Sequence, residues 1–388
     1  KVFTYNENGD LLFVFGDKNG MQIGNIDTVV AIAYQGSKIL LLDKTNLNII
    51  TFRRTEYADL LITALQHDNE MKYDETIEDW TEILKRNNNF DAAYVQIGKS
   101  LYRQGKYEES MDYFKSAFEI YNYSESYKEI RKEWANKFFW IIPLVIIAVC
   151  VLLVKFFGYA AKVNKRTALK VGRKSLKEEL LYAFHVIVHP FDGFWDLKHE
   201  KRGSMRSAFI ILITTIIVYY YNTIGMGYIF SPITNATMNI FGAITAVSVP
   251  LLLWVIANWC LTTLFEGEGS MKDIFIAACY CLTPLILLIF PATLISNVLT
   301  VTEGGIINLL FSLSLIWMGL LLFLAMMVTH DYSVGKNIIT CVVTIVGMAF
   351  IMFVAVLFRS MVSIEKKMAK SLLRRSTAAF SIKFPIYL

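Results

Sequence analysis

Residues 189–203 read HPFDGFWDLKHEKRG. Two histidines (His189, His199), two aspartates (Asp192, Asp196) and Glu200 crowd into this run. These are the residue types that hold a metal ion or move protons. The same run carries Phe191, Phe194 and Trp195, followed by Lys198, Lys201 and Arg202. Aromatic rings beside cations mark places where a chain meets a bilayer. On a helix, Asp192, Asp196 and His199 would share a face, but Pro190 and Gly193 argue against a helix here. Zinc sites, in addition, favour defined His or Cys pairs. The run is therefore expected to be an anchor rather than a metal centre. In this reading His189, Pro190, Phe191, Phe194, Trp195, Lys198, Lys201 and Arg202 contact the interface or a partner, and the carboxylates pair with neighbouring Lys and Arg.

Composition favours the membrane reading. Hydrophobic residues make up 55% of the 388 residues and charged residues 18%, against about 25% charged in soluble domains. The apolar excess lies after Phe138, so the expectation is a membrane protein with a water-soluble front end. The net charge of +5 comes from cations beside apolar stretches, where headgroups and topology explain them, and nucleic acid is not expected as a partner. The five cysteines, Cys150, Cys260, Cys279, Cys281 and Cys341, all lie in apolar stretches. No disulfide framework follows, and Cys279 and Cys281 lack partner ligands for a metal. The chain begins at Lys1 without a signal peptide, and further sequence upstream is expected.

Six apolar stretches, near Phe138–Phe157, Ser207–Phe230, Asn239–Phe265, Ile274–Asn297, Ile306–Thr329 and Ile338–Phe358, each approach the roughly 20 residues that cross a bilayer as a helix. Pro143, Pro250, Pro284 and Pro291 are expected to kink them. The connector AKVNKRTALKVGRKSLK and the run KHEKRGSMR are strongly basic, which places residues 159–206 in the cytoplasm. The loops SPITNATMN and TVTEGG carry no Lys or Arg and suit the outside. Residues 1–137 then face outward, as does the tail 361–388, whose Lys366, Lys367, Lys370, Arg374 and Arg375 strain the rule. That tail is read as an amphipathic basic helix. Within the connector, Leu176, Leu180, Phe184, Ile187 and Val188 recur near helical spacing and predict a helix lying in the interface.

Residues 1–56 are strand-like. VFTY, LLFVF, VVAIAY, KILLLD and NIITF are separated by turns at Asn8-Gly9, Lys18-Asn19-Gly20, Gln35-Gly36 and Asp43-Lys44. The order Val2-Phe3, Gly9, Phe15-Gly16, Gly20, Gly24, Ile39 to Asp43 and Asn48-Ile49 to Phe52 resembles the NHL repeat, a four-stranded propeller blade. Propellers take typically about 4–8 blades, so the segment is expected to be the end of a longer one. Residues 57–137 switch to helical periodicity. Tyr94, Ile97, Gly98, Leu101, Ser110, Phe114 and Ala117 resemble a tetratricopeptide repeat, in which Tyr94, Gly98, Phe114 and Ala117 pack two helices together. An upstream unit with Trp80, Ile83 and Leu84 fits less closely. YSESYKEIRKEWANKFFW is expected to run as one helix into the membrane.

HPFDGFWDLKHEKRGS, ending where a span begins, resembles the start of the Yip (Ypt-interacting protein) family membrane domain. WVIANWCLTTLFEGEGSMKDIFIAACYCLTP resembles its turn between spans. The resemblance covers about 175–360 and implies five spans, here 207–360, preceded by the additional span 138–158. The fold class is then mainly α, a polytopic helical membrane protein with a propeller fragment and tetratricopeptide-like helices in front. In Firmicute-type bacteria, Yip-like proteins with such fronts look like accessory parts of carbohydrate ABC importers. By association, this implies the bacterial plasma membrane, with permease, ATPase and solute-binding subunits and the lipid bilayer as partners. The role of eukaryotic relatives in membrane trafficking or organisation is the alternative, and an independent transporter a further one.

Catalytic chemistry is not expected, and no cofactor is implied. Gly267-Glu-Gly-Ser-Met-Lys272 lacks the spacing of a phosphate loop and no strand precedes it, so it reads as a tight turn. The chain is therefore not itself the ATPase, and it lacks the permease docking loop. The spans carry few ionisable groups, unlike those of a transporter. Asn258 is the most central polar residue, with Thr262 and Thr263 one turn on, and Asn258 and Thr262 are assigned to hydrogen bonding between helices. Lys155 ends its span and can snorkel, and His330-Asp331 marks a boundary.

Overall fold

The computed structural model describes residues 1–5, 9, 11–18, 24–170, 172–231, 239–262 and 264–381, with side chains to Met361 and at Lys366. The expected turns at Asn8 and Asn19-Gly20, the loop 232–238 and Thr263 lie outside the described residues. So do the side chains of Lys367, Lys370, Arg374 and Arg375. The chain divides into two compact units, Lys1–Phe139 and Trp140–Leu388.

In the first unit, β1 (Val2–Tyr5) and β2 (Leu11–Phe15) form one antiparallel pair. The strands β3 (Val29–Gln35), β4 (Lys38–Asp43) and β5 (Asn48–Arg53) form a separate antiparallel meander. The strands fall where alternation predicts them, but they make two small sheets, not the four-stranded blade the sequence suggests, and no closed propeller forms among the described residues. The core explains why: among the described residues its buried apolar side chains are Ile26, Ile39 and Leu41, with Phe15 and Phe52 against them. Leu42 and Ile49, on the other face of the meander, stay exposed, and so do Ile32 and Tyr34 of the outer strand β3, although they lie opposite Leu41 and Ile39 in the ladder. Asp43 organises the β4–β5 turn. Its carboxylate accepts from the backbone N–H groups of Asp27 (2.7 Å), Thr28 (3.1 Å) and Thr45 (3.0 Å). These donors, that of Asp27 foremost, hold its pKa well below the usual carboxylate range.

Helices α1 (Glu56–Asn69), α2 (Tyr73–Arg86), α3 (Asp91–Arg103), α4 (Tyr107–Ser116) and α5 (Ile120–Lys137) follow, each packed on its predecessor. Leu61, Trp80, Ile83 and Ile97 form their core. A Cβ on Gly98 would lie 2.7 Å from Phe114 Cε1, so glycine permits the α3–α4 approach. Tyr94 donates to Asn88 Oδ1 (2.7 Å), and half-buried Ala117 caps α4. The helical array is thus present, while its assignment to the tetratricopeptide family has no support beyond the spacing. The expected continuous helix into the membrane is interrupted: α5 ends at Lys137 and α6 begins at Ile141. Pro143 is the cause, because a helix through Phe139 would meet its ring and find no N–H.

Among its described residues the second unit has six helices, or pairs of helices, long and apolar enough to cross a membrane. These are α6 (Ile141–Ala168), α9 (Met205–Gly225), α10 (Ile240–Leu261), the pair α11 (Met271–Tyr280) and α12 (Thr283–Ser296), α13 (Gly305–His330, after a 3-10 turn at Val301–Glu303) and the start of α14 (Val334–Ser381). Two short helices, α7 (Leu176–Val186) and α8 (Pro190–Lys198), precede α9. Pro284 breaks its span in two, a stronger effect than the expected kink. The freed carbonyl of Tyr280 accepts instead from Thr283 Oγ1 (2.7 Å). Pro250 and Pro291 stay inside α10 and α12. Every residue from Ile274 to Tyr280 is buried, so α11 is the central helix, packed by α8, α9, α10 and α13.

Candidate functional site

Within the run His189–Gly203, Pro190–Lys198 does form a helix, α8, contrary to the sequence expectation. Pro190 sits in the first turn of α8, where a missing N–H costs nothing. Gly193 is needed for contact: a Cβ there would lie 2.8 Å from Val186 Cα of α7. The preceding helix starts with a capping box, in which the Ser175 N–H donates to Glu178 Oε2 (2.7 Å) and the Glu178 N–H returns to Ser175 Oγ (3.4 Å). The expected interfacial helix is also more deeply placed than its pattern suggests. Leu181, Tyr182, Ala183 and Val186 of α7, with Phe194 and Leu197 of α8, belong to the main core.

The anchor residues therefore divide. Phe191 and Trp195 are 55% and 50% exposed, Trp195 stacked on His199 with centroids 4.6 Å apart. His189 is exposed and stacks on His185 at 4.8 Å. Lys198 bridges to Glu268 (2.8 Å) and Lys201 to Asp273 (3.2 Å). Phe194 and Arg202, expected at the interface, are buried. The reason for Arg202 is Asp196, which lies 3.3 Å from its Nε and accepts from the Tyr182 hydroxyl at 2.6 Å. Glu200 takes a second contact from Arg202 (2.8 Å), and the guanidinium lies 5.1 Å over the Tyr182 ring. Burial first, and the Asp196 carboxylate second, push the Tyr182 phenol well above its ordinary pKa. Asp196 and Glu200 pair with Arg202, and Asp196 with a hydroxyl as well; among the described residues no three His, Cys, Asp or Glu side chains converge as metal ligands.

Two buried polar arrangements join this region to the spans. In the first, Tyr280 of α11 donates to the Glu179 carbonyl (2.8 Å) and lies 3.0 Å from Ser207 Oγ. Glu179 itself is buried, its carboxylate bonded to Ser204 Oγ and 3.4 Å from Arg206 Nη2. In the second, the Gly269 N–H donates to His330 Nδ1 (3.2 Å), which leaves the ring proton on Nε2 to reach Asn258 Oδ1 (2.8 Å). Asn258 Nδ2 donates to Thr344 Oγ1 (3.2 Å), and that hydroxyl to the Thr340 carbonyl (2.7 Å). This second chain runs donor into acceptor without a break across α13, α10 and α14.

The glycines of Gly267-Glu-Gly make room for that chain. A Cβ on Gly269 would lie 2.7 Å from His330 Cε1, and one on Gly267 would collide with the Tyr332 hydroxyl. His330 and Tyr332 stack at 5.0 Å. A cleft of about 380 Å³ opens between α8 and the end of α13, where Phe191, Trp195, Lys198, Glu268 and Asp331 line it.

Asn258 bonds to His330 of α13 and Thr344 of α14. Thr262 does not join another helix; its hydroxyl donates to Trp259 O (2.6 Å) within its own turn. Tyr182, Glu179, Tyr280 and His330 are missing from the sequence-derived site. A tyrosine in an otherwise apolar run was a usable signal, because a buried phenol needs a partner. No curated protein and no solved structure matches the chain. Residues 184–357, from the second half of α7 through the spanning part of α14, match the family model of the Yip1 domain.

Proposed function

We propose that this protein is a non-enzymatic, multi-pass membrane factor that organises other membrane proteins, in the manner of Yip-type trafficking and organising proteins. The match over residues 184–357 carries the reading. Supporting it, Asn258, His330 and Thr344 are used up in packing helices together, where a transporter would present them to a substrate. The charge pattern supports an orientation with the α6–α9 connector in the cytoplasm and residues 1–137 opposite. The narrower expectation of a carbohydrate ABC importer partner rested on the propeller and repeat resemblances, so it stands second. Crosslinking in native membranes, purification and identification of partners tests both. Other integral membrane proteins should be enriched over a mock sample; permease and ATPase subunits among them would restore the importer reading. Solute flux through the purified chain alone in liposomes would overturn the proposal.

A further inference from the structure

Between Lys155 and Lys177 the chain has eight Lys or Arg and no Asp or Glu. The structure sorts these cations. Lys170 pairs with Glu178 (2.9 Å), Lys174 caps carbonyls at the end of α6, and Lys177 lies 5.3 Å over the Tyr159 ring. Among the described residues Lys155, Lys162, Lys165 and Arg166 form no ion pair, and all four are exposed. At about 100° per residue they occupy one arc of roughly 100° on α6. Ala160, Asn164 and Thr167, the buried residues of α6, lie on the opposite side of the helix. They face α7, where Asn164 Nδ2 donates to the Leu181 carbonyl (3.3 Å) and Phe156 packs edge-on against Phe184 at 5.0 Å. The packing of α7 therefore turns the cationic stripe outward.

The stripe also has a fixed depth. It begins at Lys155, within two turns of the end of the apolar run at Ala161, on a helix whose most apolar stretch has no buried residue, and extends about 16 Å along the axis. That is where a span leaves hydrocarbon for headgroups, and Lys155 can snorkel to the same level. We propose that this stripe, with exposed Arg173 just beyond it, binds the headgroups of anionic phospholipids and holds them against the α6–α7 elbow. Charge complementarity and continuity with the lipid-facing span select a lipid over a soluble acidic partner. The inference does not depend on which proteins the chain organises.

The test uses the full chain in detergent, titrated with phosphatidylglycerol or phosphatidylcholine, with retained lipid counted by native mass spectrometry. The wild type should retain phosphatidylglycerol preferentially. K162Q/K165Q/R166Q/R173Q should lower that retention at least roughly tenfold, since each cation near an anionic surface contributes about a fivefold preference. K38Q/K44Q/K99Q/K106Q, with the same charge removed elsewhere, should not. As a check free of any folding defect, the wild-type preference should shrink between low and high salt. Equal retention of the two lipids by the wild type, a preference unaffected by salt, or a preference surviving the quadruple substitution would each overturn the proposal. Capture of poly-glutamate without lipid discrimination would overturn it too, and would point to an acidic polypeptide.

Discussion

Tyr280 is the residue on which the second unit turns. Its hydroxyl reaches a main-chain carbonyl of α7 and a serine of α9 from the most buried helix of the unit. Removing a buried donor leaves the acceptor unpaired, at about 1–3 kcal/mol. Tyr280→Phe should lower unfolding stability in detergent by that order, and an unchanged melting curve would refute the role. His185 makes a second prediction at this scale. Burial, then the neighbouring His189, lowers its pKa. The unfolded ring takes a proton near its ordinary value of about 6.5, where the folded ring resists it, so the unfolded state binds more protons. Stability should fall as pH drops below that value and stop falling once the folded ring is itself protonated. His185→Gln should flatten this part of the stability–pH curve.

Between elements, polar side chains set which helices touch. In lipid, apolar surface does not distinguish one helix partner from another, so a hydrogen-bonded chain through Asn258, His330 and Thr344 helps specify α10, α13 and α14 as neighbours. Asn258→Ala should destabilise by about 0.6–2 kcal/mol. Thr344→Val should then cost less in the Asn258→Ala background than in the wild type. A double-mutant cycle checks this, and strict additivity would show that the bond contributes nothing. Elements also explain where pattern reading faltered. Helix α8 forms despite Pro190 and Gly193 because proline is tolerated in a first turn and the glycine is used for contact with α7. At Pro284 the same proline chemistry falls mid-span and divides α11 from α12.

For the whole molecule, alternating loop charge makes a topological prediction. An even number of spans puts residues 1–137 and the tail on one side, and the α6–α9 connector on the other. The native cysteines all lie within spanning helices, so single cysteines placed at exposed loop positions can be read without a large background. Lys106→Cys and Ser175→Cys should react with an impermeant maleimide from opposite faces of sealed vesicles. Reaction of both from one face would break the six-span reading. The tail is itself an extension of the last span: α14 continues to Ser381, about 72 Å at 1.5 Å per residue.

The number, length and approximate limits of the spans were legible in the sequence. Bilayer thickness sets helix length, and hydropathy reports it one segment at a time. Asn258 stood out in the sequence for a similar reason, since a lone amide among apolar residues must find a partner. The strands of the first unit were legible as strands. Their sheet partners were not, because alternation fixes which residues share a face and leaves the neighbouring strand open. Only the tertiary structure could decide that Phe194 and Arg202 belong to the interior while Phe191 and Trp195 remain at the surface. All four sit in one run of rings and charges, and what separates them is α7, Asp196 and Tyr182, brought close by folding.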